Sequence, residues 1–139
     1  MRIAVLCIGL LTATVTGASA QGRDSVFADY PAYAAFVDNH IMRRSFTDLI
    51  LQLGGRDEYT KEQLDANQRQ MRGVWPQDFE SVTVFNRQDL GGGVSQEGRM
   101  YWNGTAYAFF YAILHQREGE LVVVNFALNS NIVPIMERF

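Results

Sequence analysis

Two histidines are the residues of this chain best suited to acid–base chemistry at neutral pH, and they sit in different surroundings. His40 lies in Asp38-Asn39-His40, just ahead of Arg43-Arg44. On a helix, residues two apart do not face each other, so Asp38 is a poor partner for orienting the imidazole. Arg44, four residues on, shares the face of His40 and disfavours its protonation. A helix-surface role fits His40 better than catalysis. His115 closes a long apolar run that also holds Tyr107 and Tyr111 at even spacing, with Trp102 shortly before. An imidazole and two phenols along one face could supply polar tips to an aromatic cleft. His115, Tyr107 and Tyr111 are therefore the catalytic candidates. With Trp102 they are also the candidates for binding a small apolar ligand.

Other local patterns carry less chemistry. Two histidines on separate elements, without a His-Glu-x-x-His spacing, make no metal site. Gly91-Gly92-Gly93 is followed by neither Lys-Ser nor Lys-Thr, nor by a helical pattern, so it is a strand connection and not a phosphate loop. Gly93-Val94-Ser95-Gln96-Glu97 lacks the closing glycine of a nucleophile elbow. Asn103-Gly104-Thr105 matches a glycosylation acceptor, but Asn-Gly between strand-like runs reads first as a tight turn. No cofactor is implied by any of these patterns.

The elements that must carry these residues follow from periodicity. Pro31 suits a first helical turn, with Asp29 as N-cap. Tyr33, Ala34, Phe36, Val37 and Ile41, then Phe46, Leu49, Ile50 and Leu53, give a helical apolar stripe over 31–53, as one bent helix or as two. Ser45 with Asp48 resembles a capping box, and Gly54-Gly55 a helix end. Thr60 with Gln63 opens a further helix to about Arg72, poor in apolar residues and so mostly exposed. Trp75-Pro76 stops it. Thereafter the pattern is strand-like: Val82 to Phe85, Gln96 to Trp102, Thr105 to His115, Leu121 to Leu128, and a short final strand over 132–136.

The first 20 residues stand apart. Met1-Arg2, the apolar run from Ile3 to Leu11 and Ala18-Ser19-Ala20 form the three-part layout of a signal peptide. The apolar part is shorter than the roughly 20 residues that span a bilayer. Residues 1–20 are thus expected to be a cleaved signal peptide and 21–139 a single exported domain, periplasmic or secreted. The chain's only cysteine, Cys7, would leave with the signal, so the core must hold without disulfides. The formal net charge is −3, and no basic stripe is present, which argues against nucleic acid as a partner. No further stretch is apolar enough for a membrane span.

If Asn103-Gly104 and Glu118-Gly119 are both two-residue turns, Trp102 pairs with Thr105, His115 with Val122, and Ile113 with Val124. One face then gathers Met100, Trp102, Tyr107, Phe109, Tyr111, Ile113, Val122, Val124, Phe126 and Leu128. It is expected to be the core beneath the helices. The other face, with Glu97, Arg99, Tyr101, Ala108, Phe110, Ala112 and Leu114, is semi-apolar and is expected either to be open to a homodimer or another protein partner or to be a partly wet face under the second helix.

Helices followed by an antiparallel meander read as α+β, with N-terminal helices packed on a curved β-meander. In element order, residues 31–136 resemble the cone fold of the ketosteroid-isomerase-like (nuclear transport factor-type) superfamily, with a cystatin-like arrangement as the competing likeness. The resemblance implies no catalytic residue here, because no position matches that superfamily's acid or base. Its members include enzymes, binders and dimerisation modules. The expected function is an exported, non-enzymatic binding or interaction module. The alternative is a small enzyme or small-molecule binder with a pocket between helix and sheet that uses His115 with Tyr107 or Tyr111.

Overall fold

The computed structural model describes residues 23–139. The expected signal segment, residues 1–20, lies outside them. A two-residue strand β1 (Val26–Phe27) leads into helix α1 (Tyr30–Met42) and a short helix α2 (Phe46–Ile50). A π-helical turn (Leu51–Gly55) and helix α3 (Lys61–Val74) follow. Then come four long strands: β2 (Ser81–Gly91), β3 (Val94–Asn103), β4 (Ala106–Arg117) and β5 (Glu120–Asn129). A final turn of helix, α4, covers Val133–Met136. The sheet is antiparallel, in the order β1-β5-β4-β3-β2. The chain is α+β, with its main helices ahead of the long strands.

Local chemistry explains the helix bounds. Asp29 caps α1 by accepting from the Ala32 N–H at 2.8 Å, and Pro31 occupies the first turn. Thr60 and Gln63 form a reciprocal capping box on α3. Ser45 makes no such side-chain bond, so the pattern of Ser45 with Asp48 does not act as a box. Residues 31–53 form two helices, because the chain turns sharply at Arg44 with φ of 58°. Gly54, with φ of 114°, ends the π-helical turn in a conformation that favours glycine. The segment expected as a last strand is the helical turn α4 instead. Pro134 fits there because its missing N–H is not needed in a first helical turn.

The registers correct the expected pairing in two places. Asn103 pairs with Ala106, so the first loop is Gly104-Thr105 and Trp102 faces Tyr107. Glycine takes the first loop position, where φ is 58°, as a type II′ turn requires. In the second hairpin His115 pairs with Val122 as expected, but a bulge follows and Ile113 faces Asn125. The extra residue in β5 reverses its side-chain parity, so Phe126 and Leu128 turn to the opposite face.

The face that packs beneath the helices is the one expected to be open. Tyr101, Ala108, Phe110, Ala112 and Leu114 are wholly buried there against Tyr33, Val37, Ile41, Phe46 and Leu49. Small residues on β4 let the helices approach closely, while the larger face would hold them away. A partner cannot reach Phe110, which is fully enclosed. The opposite face forms a second, smaller core. Phe109 and Tyr111 pack with Ile135, Phe85 and the terminal Phe139. Phe85, the bulged residue of β2, lies over Gly98, where a Cβ would stand 2.5 Å from its ring. Glycine at 98 therefore admits the ring.

Candidate functional site

The helix–sheet interface holds two different regions. At the α1 end, charged and phenolic groups are buried together. Arg99 on β3 donates from Nε to Glu97 Oε1 at 2.6 Å and from Nη1 to both carboxylate oxygens of Asp38 on α1 at 3.0 and 3.2 Å. Its Nη2 donates to the Tyr30 hydroxyl at 2.6 Å, and that hydroxyl donates to Glu97 Oε2. Tyr33 donates to Glu97 Oε1 and Tyr101 to Asp38 Oδ1. Arg87 stacks over the Tyr30 ring at 4.1 Å.

The side chains of Arg99 and Glu97 are only 4% and 1% exposed, so this charge lives in a low dielectric. Burial opposes the Arg99 charge, but the adjoining Glu97 and Asp38 carboxylates outweigh it and hold the guanidinium firmly protonated. Burial, and then the neighbouring carboxylates, push the Tyr33 and Tyr101 phenols well above their ordinary value. Among the described residues, no buried side-chain polar atom lacks a partner. A network with every group satisfied has no hand free for a substrate. It pins α1 to β3.

At the other end the interface stays open. A groove of about 450 Å³ lies between α2, the π-helical turn, α3 and β5. Phe46, Leu49 and Leu53 form its helical wall, Asn67 and Met71 of α3 its flank, and residues 123–128 of β5 its floor. Glu58 and the part-exposed Tyr59 stand at its edge. The groove exists because α3 buries Leu64 alone and so does not close down on the sheet. One end is fixed by Ser25, whose N–H donates to Gln52 O and whose hydroxyl donates to Leu53 O. The size falls within the usual range for ligand sites, and apolar walls with a few polar groups are their usual lining.

Trp102, Tyr107, Tyr111 and His115 all lie on the far face of the sheet, away from α1, α2 and α3 and from the groove lining. Tyr107 is 40% exposed and stacks on Phe109. Tyr111 is buried; its hydroxyl donates to Gln96 Oε1 at 2.9 Å, and burial raises its pKa. His115 is half-buried between Val94 and Val122. Along one strand Tyr107 and His115 are separated by roughly 26 Å, so the fold does not bring them to one reacting atom. His40 stacks on Phe36 with centroids 4.0 Å apart, and its Nδ1 lies 2.8 Å from Phe36 O.

Sequence reasoning missed both regions. Glu97 and Arg99 read as two charges on a semi-apolar face open to a partner, and Asp38 as a poor partner for His40. Their partial signal was in the pattern: Glu97 and Arg99, of opposite charge and two apart on one strand, share a face with apolar residues, and charges buried there must be paired. The groove has no local signature. Among the described residues, no group of three or more His, Cys, Asp or Glu could hold a metal ion, and no helix is long and apolar enough to cross a membrane. No protein-family model matches the chain, and searches of curated proteins and of solved structures find no match either.

Proposed function

We propose that the protein is an exported, non-enzymatic binding module whose ligand occupies the groove between α2, α3 and β5. The single observation that carries this reading is the open groove of about 450 Å³ in a helix–sheet interface where, among the described residues, every buried polar side-chain atom is satisfied. Interiors normally pack to near-crystalline density, so a gap of this size, with apolar side chains on its helical wall and polar surface along the rest of its lining, is a feature to be explained by what enters it. Its helical wall is apolar and includes no histidine, which favours binding over acid–base catalysis. Export rests on the layout of residues 1–20.

The groove is tested with the neutral apolar dye N-phenylnaphthylamine. Its fluorescence is expected to rise with the native protein, and Asn67→Trp, which fills the groove from α3, should weaken dye binding about tenfold, near 1.4 kcal/mol. No fluorescence response from the native protein would overturn the proposal. Export is checked by the intact mass of protein from the compartment outside the cytoplasm of its host. That mass should correspond to a chain beginning near Gln21; retention of Met1 would refute cleavage.

A further inference from the structure

We infer that the occupant of this groove is an extended peptide that adds as a strand to the free edge of β5, a reading that rests on the binding proposal above and deepens it. Six consecutive residues of β5, Val123 to Leu128, line the groove. Side chains of a strand alternate between its two faces, so a space bordered by six residues in a row meets the backbone of the strand as well as its side chains. The edge of β5 is open. β1 pairs with β5 only at Leu121 and Val122. One further bond, from the Val123 N–H to Ser25 O at 2.8 Å, ends the pairing. There the chain turns away, with Ser25 at φ of 67° and its N–H bonded to Gln52 O. From Asn125 to Asn129 β5 has β4 on one side and no described strand on the other.

The alternation of antiparallel bonding says which groups are offered. Val123 points outward, as its bond to Ser25 shows. The bulge beyond it adds one residue, so the outward set becomes Phe126 and Leu128. Their backbone donors and acceptors present the pitch of a strand, which another extended backbone matches and a compact small molecule does not. Phe46, Leu49, Leu53, Asn67 and Met71 of the helical layer line the groove along this edge, which leaves room for a single extended segment.

The side-chain preference follows. The same stretch of β5 turns Phe126 and Leu128 toward the helical layer, beside Phe46 and Met71. A peptide residue facing that layer must be apolar, and its neighbours face the other way, so apolar residues are required at alternate positions. Glu58 is the only charged residue in the described lining. A basic residue in the peptide would complement it.

The test uses a capped synthetic peptide, Thr-Val-Lys-Val-Thr-Val, displacing N-phenylnaphthylamine from the native protein, with hydrogen exchange as a second readout. Displacement is expected, together with slowed exchange of the Phe126 and Leu128 amides. N-methylation of the two central peptide bonds should weaken displacement by about tenfold or more, because a strand partner needs those donors. If the N-methylated peptide binds equally well, or if the amides of Phe126 and Leu128 are unaffected, strand addition is wrong. If the dye binds but no peptide displaces it, the groove takes another class of ligand and only the present inference fails. If neither dye nor peptide binds, the binding proposal fails with it. Concentration-dependent dimerisation that blocks the peptide would reassign the β5 edge to a second copy.

Discussion

The two ends of the helix–sheet interface solve the same packing problem in opposite ways. Beneath α1, polar groups are buried and every one is paired; Arg99 alone meets Glu97, Asp38 and Tyr30. Between α2, α3 and β5, apolar groups face each other and the space between them is left open. Close packing and full pairing make the first region rigid and closed to ligands. The second leaves a mixed polar and apolar lining and, among the described residues, a strand edge uncovered, the kind of surface a binding partner can use. Burial of charge therefore marks structure in this molecule, and incomplete packing marks the candidate site.

Substitutions should separate the two ends by the size of their effects. Arg99→Met should be the most damaging. It leaves the Glu97 carboxylate buried without its counter-ion, at a cost of about 3–5 kcal/mol in chemical denaturation. Adding Glu97→Leu to it should recover part of that loss, since the apolar pair removes the stranded charge. A neutral outcome for Arg99→Met would mean that the network is wetter than its 1% exposed Glu97 implies.

Tyr33→Phe should come next. It deletes a hydrogen bond to a buried carboxylate, worth about 1.5–3 kcal/mol. The same phenol gives a pH signature. Its folded pKa is raised by burial and by Glu97, so the native state keeps the proton while the unfolded chain releases it from pH about 10 upward. Stability is thus complete below that range and falls as the pH rises through it. Alkaline denaturation curves should show the fall in the native protein and a smaller one in Tyr33→Phe. Equal slopes would disconnect the phenol from folding.

Asn67→Trp should have the smallest effect on folding, within about 0.5 kcal/mol by denaturation, as is usual for a substitution at a groove wall outside the core. It should still weaken dye binding as stated above. A large loss of stability there would mean that the groove is part of the core and not a vacancy within it.

Much of the fold was legible because local rules and tertiary packing agree. The Asp29 cap, the Thr60–Gln63 box, the four strands and the second hairpin's opening pair all follow from residue types at fixed spacing. The choice of sheet face was not legible. Bulk on one face suggested the core, but the helices lie over Ala108 and Ala112, where small side chains allow close approach. The sheet is covered on both sides, because α4 and Phe139 close over Phe109 and Tyr111. With both faces partly buried, the contrast on which a face assignment depends is weak. The single bulge in β5 added to the difficulty by moving Phe126 and Leu128 across the sheet.

The sequence by itself determined the elements and their order: caps, turn glycines and apolar periodicity act over a few residues and need no distant partner. It also carries, in residues 1–20, the layout on which the export proposal rests, and Cys7, the chain's only cysteine, lies within that segment. Only the tertiary structure decided which carboxylate meets Arg99, 61 residues away in the chain at Asp38, and where the interface stays open. Both are long-range outcomes. Pairing a buried charge and leaving a groove depend on how whole elements come to rest against one another, and no local pattern records that contact before it is made.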